Sequence, residues 1–204
     1  MNKMARRKNY AADYTVIGLA VVVVAILLMS TGKHTGTFSL LPIPSGAVLS
    51  LSGDNFQDEI SGTNFTVLNS TAMPLITAGY LGKGFEFDGV DDMLVFPTDS
   101  RLNLNTWTIE AWVYPTSDKH GYIVSKPDSF ILQRYWAINS TSGLTQSTIQ
   151  GLLFYQDNGS IQTGPAAPFT ATNSWTYLVY TYGPNGIRIY FNGTLVTNLN
   201  RNNY

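Results

Sequence analysis

The sequence predicts an all-β protein: an antiparallel two-sheet sandwich, preceded by a single N-terminal transmembrane helix. Three observations carry this expectation. An uncharged apolar run lies near the N-terminus, behind a cluster of bases. After it come short alternating or apolar runs broken by Gly, Asn, Asp and Pro, with no helical periodicity of useful length. Aromatic residues make up 13% of the chain and charged residues 12%, which suits a filled β core better than a helical bundle or a disordered chain.

The apolar run, residues 15–31 (TVIGLAVVVVAILLMST), contains no charge. As a helix rising ~1.5 Å per residue it would be about 26 Å long. A bilayer's hydrocarbon core is ~30 Å thick, and Tyr14 with the flanking polar residues can make up the remainder. The chain therefore divides into a basic cytoplasmic segment at 1–13, a transmembrane helix at 14–32, a linker at 33–46 and a β-sandwich at 47–204. Lys3, Arg6, Arg7 and Lys8 precede the run and only Lys33 follows closely. The positive-inside bias then puts the N-terminus in the cytoplasm and the β domain outside the cell membrane. Two other readings stay open. One is a cleaved signal peptide, with Ser30-Thr31-Gly32 as a small-residue site. The other is a pilin-like leader processed near Lys8. In the linker, Pro42 and Pro44 give an extended, semi-rigid stretch.

Strands are predicted at 84–88, 93–96, 107–114, 122–125, 130–137, 151–156, 175–182, 187–191 and 194–197. At 107–113 the odd positions are Trp107, Ile109, Ala111 and Val113, and the even ones are Thr108, Glu110 and Trp112. The wholly apolar face is the core side. Asn192-Gly193 separates two strand-like runs and predicts a type I′ hairpin, which needs positive φ at both central residues. Gly183-Pro184-Asn185-Gly186 predicts a second tight turn.

Composition excludes several functions. The chain has no cysteine, so disulfides, Cys-ligated zinc, iron–sulfur clusters and thiol catalysis are absent. Beyond residue 34 it carries seven of its twelve bases against twelve of its thirteen acids, about −5. A mildly acidic domain does not suit nucleic acid, whose phosphates call for a basic face.

The segments at 82–96 (GKGFEFDGVDDMLVF), 107–115 (WTIEAWVYP), 123–126 (IVSK), 175–183 (WTYLVYTYG) and 187–196 (IRIYFNGTLV) resemble, in this order, the laminin-G-like, concanavalin A-like jelly roll. The upstream 58–67 (DEISGTNFTV) resembles the D-x-SG-x-N segment that precedes them in that family. The resemblance covers roughly residues 47–197. It implies a jelly-roll sandwich, extracellular, serving as a binding module for glycans or surface partners. It also implies a closing strand after the Asn192-Gly193 hairpin, beyond the Asn200–Tyr204 stretch at which the sequence stops; either the sequence is a fragment of a longer chain or the sheet is left with an open edge. An open edge would expose core side chains such as Ile189 or Phe191, to be covered by residues 38–41 or by a partner strand.

Each candidate site has an ordinary structural explanation beside it. Tyr114, Tyr135, Trp136 and Tyr155 are aromatics for which the core has no evident place. A sugar packs its C–H face on such planes, and a core or sheet-surface role is the plainer alternative. Asp88, Asp91 and Asp92 cluster in a turn and could help hold Ca²⁺, which takes oxygen ligands; Asp is also simply a turn residue. Glu86, Asp88 and Asp91 approximate E-x-D-x-x-E, the motif of a glucanase family sharing the fold, with Glu86 and Asp88 expected on one strand face. The third residue is not Glu, Gly89 breaks the strand, and no enzyme activity is expected. His34 and His120 lack partners at ligand or triad spacing and read as solvated. Asn64, Asn69, Asn139 and Asn158 begin N-x-[ST] sequons and are glycosylation candidates; Asn192 also begins one but sits in the tight turn.

The functional expectation is a membrane-anchored binding or adhesion module for a glycan or surface protein. The alternatives are a self-assembling subunit of a surface filament or viral envelope and, below that, a glycoside hydrolase.

Overall fold

The structure, a computed structural model, describes residues 27–29, 43, 45–67, 70–117, 120–126, 129–138, 145–154 and 161–200. Its strands are β1 (Leu27–Met29), β2 (Ala47–Ser50), β3 (Leu75–Ala78), β4 (Lys83–Glu86), β5 (Trp107–Val113) and β6 (Gly121–Lys126), then β7 (Phe130–Ile138), β8 (Thr145–Phe154), β9 (Ile161–Pro168), β10 (Thr176–Gly183), β11 (Gly186–Phe191) and β12 (Thr194–Leu199). One sheet has six strands in the order β12-β11-β10-β5-β1-β2, another has four in the order β6-β7-β8-β9, and β3-β4 form a separate pair. Every pairing is antiparallel. The all-β antiparallel architecture expected from the sequence is the one found.

The core lies between the two larger sheets. Period-two alternation in β5 buries Trp107, Ile109, Ala111 and Val113, each at most 5% exposed. Leu178 and Tyr180 of β10 and Ile187 and Ile189 of β11 join them from the same sheet, and Phe130, Leu132 and Ile149 come from the facing sheet. The Trp107 ring is 4.7 Å from that of Phe130 and 4.8 Å from that of Tyr180, centroid to centroid. Arg134 shares the inward parity of Phe130 and Leu132 and is fully buried. It donates to Ser147 Oγ at 2.6 Å and to the Ser117 carbonyl, with its guanidinium 5.4 Å from the Phe169 ring.

The Asn192-Gly193 hairpin forms as predicted, with φ of 50° and 81° at the two residues. Gly186, at φ 83°, closes the turn from β10 to β11. The upstream D-x-SG segment is organised by Asp58, which is fully buried. Its Oδ1 accepts from the Ser50 and Ile60 amides at 2.9 and 3.2 Å, and its Oδ2 accepts from Ser61 N, Ser61 Oγ and Arg101 Nη2.

Several expectations are corrected. Leu27–Met29, the end of the predicted 14–32 helix, form a strand paired to Ser50–Ala47 on one side and Glu110–Thr108 on the other. A short apolar run serves a buried strand as well as a helix, and periodicity alone does not separate the two. Residues 1–26 and 30–42 lie outside the described residues, among them His34 and the 38–41 segment expected to cover an edge. No helix among the described residues is long and apolar enough to cross a membrane. The run at 93–96 is not a strand; Val95 makes only an isolated bridge to Thr66. Ile189 is fully buried rather than laid open at an edge, because β12 flanks β11 and the Ile189 side chain joins the core cluster. Strands β2, β3 and β9 were not anticipated.

Candidate functional site

The outward face of the six-stranded sheet carries the alternate residues of β5 and β10. Register pairs Trp112 with Tyr177 and Glu110 with Val179 across these strands. Tyr177 donates its hydroxyl to Glu110 Oε2 at 2.6 Å, and both side chains are buried. Burial, and the Glu110 carboxylate beside it, push the Tyr177 phenol well above its ordinary pKa of 10.0, so it holds its proton as a donor.

Aromatic rings gather around this pair. Tyr80 reaches over from the turn between β3 and β4 and stacks on Trp112, with centroids 3.6 Å apart and planes 16° from parallel. Trp175 stands edge-on to Tyr80 at 5.9 Å, and Tyr114 lies 5.2 Å from Trp175. Trp112 and Tyr177 are 5.3 Å apart. Tyr80 is 45% exposed, while Trp112, Tyr114 and Trp175 are half-buried. Aromatic groups with one wet side and one packed side are the kind that receive a ligand's apolar face. Two polar atoms of this patch are shielded from solvent and have no hydrogen-bond partner among the described residues: Glu110 Oε1 and Trp112 Nε1.

The predicted ligand aromatics are not brought together. Tyr114 joins this cluster. Tyr135 stands on β7 in the other large sheet, 40% exposed, with the His120 ring edge-on at 5.3 Å. Trp136 occupies a β7 position opposite Ser147, and Tyr155 lies outside the described residues. Sequence reasoning missed Tyr80, Trp112 and Trp175 as surface aromatics. For Trp112 a signal existed, since a tryptophan on the polar parity of an alternating strand faces away from the core. For Tyr80, contributed by another sheet's turn, there was none.

The acidic turn does assemble. Ligand oxygens of Asp88, Asp91 and Asp92 lie within 4.8 Å of one another. Several are engaged within the turn. Asp92 Oδ2 accepts from the Asp88 amide at 2.7 Å, and Asp88 Oδ1 accepts from the Val90 amide at 2.8 Å. Burial, with the charges of Asp88 and Asp91, raises the Asp92 pKa against the lowering effect of that amide. The cluster offers hard oxygen donors that suit a cation such as Ca²⁺. By contrast, Glu86 and Asp88 do not share a strand face, because β4 ends at Glu86 and Asp88 has entered the turn. His120 is exposed, with Nε2 3.3 Å from Gln133 Oε1. Asn64 is exposed; Asn69, Asn139 and Asn158 lie outside the described residues. Two open depressions, about 380 Å³ beside Phe56 and Phe65 and about 500 Å³ beside Arg134, include none of the clustered aromatics. A stacking platform is a surface rather than a cavity, and the ring cluster is the better candidate.

Among known proteins, the family model described as the concanavalin A-like lectin/glucanases superfamily matches residues 88–203. Comparisons with curated proteins and with solved structures found no match. The matched span contains Glu110, Trp112, Tyr114, Trp175 and Tyr177, and begins after Tyr80.

Proposed function

Because this chain belongs to the concanavalin A-like lectin/glucanases superfamily, we propose that it is a non-catalytic module that binds glycans on the aromatic face of its six-stranded sheet. The observation that carries this reading is the group Trp112, Tyr114 and Trp175, with Tyr80 stacked over Trp112, gathered on one outward face beside the buried Glu110–Tyr177 pair. A sugar presents C–H groups on one side and hydroxyls at its rim. Ring planes accept the first and a few placed polar groups accept the second. A glycan array probed with the full chain tests it. Retention of one glycan class by the wild type, lost in Trp112→Ala while folding is kept, supports the reading. Retention of no glycan overturns it.

The same reading puts the β domain outside the cell, following Lys3, Arg6, Arg7 and Lys8 ahead of the uncharged run. Protease added to intact cells should cut the domain; a domain protected until lysis contradicts this location. A second reading concerns the acidic turn, favoured by the three converging carboxylates. Calcium held there would raise the melting temperature, by an amount that grows with its concentration over its Kd. A midpoint unmoved by millimolar calcium, or moved equally in Asp92→Asn, removes it.

A further inference from the structure

The Tyr80–Trp112 stack covers a face that a glycan would need. Tyr80 belongs to neither large sheet. It sits at the tip of the β3–β4 hairpin, where the Gly79 amide donates to the Gly82 carbonyl at 2.9 Å and Gly82 takes φ 72°. Among the described residues that pair shares no strand ladder with either larger sheet, so the ring meets Trp112 through stacking. Two residues apart on the same outward parity of β5 are the two atoms without a hydrogen-bond partner among the described residues, an acceptor on Glu110, which is 3% exposed, and a donor on Trp112. A buried polar atom left without a partner is costly. These two call for opposite partners, one a donor and one an acceptor. A hydroxyl-bearing ligand supplies both, whereas a purely apolar ligand supplies neither.

We propose that Tyr80 is a displaceable cap: a neutral sugar ring takes its place on Trp112, donating a hydroxyl hydrogen to Glu110 Oε1 and accepting from Trp112 Nε1–H. This inference rests on the glycan reading above and adds to it the residue that competes with the ligand and the two atoms that select hydroxyls. Tyr177 is a positioning residue, holding Glu110 by Oε2 so that Oε1 remains for the ligand. Tyr80 lies outside the family-matched residues 88–203, so the cap is not part of the shared segment. Apparent affinity falls in proportion to the fraction of molecules whose site is open. An aromatic stack of ordinary strength should therefore weaken binding about threefold to tenfold.

The test uses the full chain with maltotriose, cellotriose and mannotriose as probes, read by titration calorimetry, and acrylamide quenching of tryptophan emission without sugar. Tyr80→Ala should raise quenching and tighten binding of whichever trisaccharide binds by about threefold to tenfold. Tyr80→Phe, which keeps the stack, should behave as wild type. Trp112→Phe keeps a ring but removes the N–H, and should weaken binding about tenfold. Sugar binding by the wild type that is unchanged or weakened in Tyr80→Ala overturns the cap and leaves the glycan reading standing. Binding of none of the three by wild type or Tyr80→Ala overturns the inference together with a neutral-glycan ligand. If Tyr80→Ala does not fold, the Trp112→Phe comparison still decides the hydroxyl contact: unchanged affinity there overturns it.

Discussion

Gly164 of β9 lies so close to Gly151 of β8 that a Cβ on Gly164 would stand 2.0 Å from the Gly151 carbonyl oxygen. A Cβ on Gly151 would in turn meet the buried Tyr180 ring at 2.5 Å. The two residues sit where the β8–β9 pairing shifts register, between Gln150 and Leu152. The clash at Gly164 is with backbone and has no rotamer to relieve it. Gly164→Ala should therefore destabilise the domain by at least about 1–3 kcal/mol, the usual range for overpacking. Chemical denaturation checks it; a midpoint equal to wild type would mean that β9 packs elsewhere.

Trp107 and Trp175 should respond differently to truncation. Trp107 is 5% exposed and touches Phe130 and Tyr180, so Trp107→Ala should cost ~3–5 kcal/mol. Trp175 is half-buried and packs only against Tyr80 and Tyr114 among the described rings. Trp175→Ala should cost clearly less. Melting curves of the two variants settle the order, and equal losses would contradict the placement of Trp175.

Asn192 has two separable duties. It adopts φ 50°, in the left-handed region, and its Oδ1 accepts from the Tyr177 amide at 2.9 Å. Asn192→Gly keeps the backbone conformation and loses the acceptor, for about 1 kcal/mol. Asn192→Ala loses the acceptor and adds left-handed strain, for about 2–3 kcal/mol in all. If alanine proves no worse than glycine, the turn has relaxed to another type.

Acid should loosen the fold through Asp58. Burial pushes its carboxyl up, but hydrogen bonds from Ser61, Ser50 and Ile60 outweigh this and hold its pKa below the ordinary 3.8. With the folded value depressed, the stabilisation is complete above the ordinary carboxyl range and is lost as pH falls through the depressed value. Urea midpoints at about pH 7 and about pH 3 should fall further apart for wild type than for Asp58→Asn. The variant should already be weaker at neutral pH. Parallel losses in the two proteins would assign the acid sensitivity to other carboxyls.

The sequence disclosed what local physics decides. Alternation in β5 identified Trp107, Ile109, Ala111 and Val113 as core because successive side chains must face opposite ways. Asn192-Gly193 declared its hairpin because few residue pairs accept two positive φ values. Parity did not tell that Glu110 is buried on the outward face. Its partner Tyr177 comes from another strand, and strand periodicity carries no record of distant partners. Strand β9 was hidden by Gly164, Pro165 and Pro168, which read as breakers. It is the outer strand of its sheet, where proline is tolerated. The acidic turn at Asp88, Asp91 and Asp92 was visible because its members are neighbours in the chain. The ring cluster was not, because Tyr80, Trp112 and Trp175 are joined only by folding.

Strand β1 sets a choice before the chain. Leu27–Met29 are hydrogen-bonded on both sides, to β2 and to β5, and a backbone so engaged is unavailable to lipid. With them committed, the uncharged stretch left at 15–26 has twelve residues. That is about 18 Å of helix, short of the ~30 Å that a bilayer asks for. Drawing the three residues back into a membrane would restore the length and strip Thr108, Ile109 and Glu110 of their neighbours, leaving a gap one strand wide beside Leu49. Of the three β5 residues that β1 flanks, Glu110 is the one that also holds the Tyr177 hydroxyl, so the seating of this short strand reaches the aromatic face through a single carboxylate.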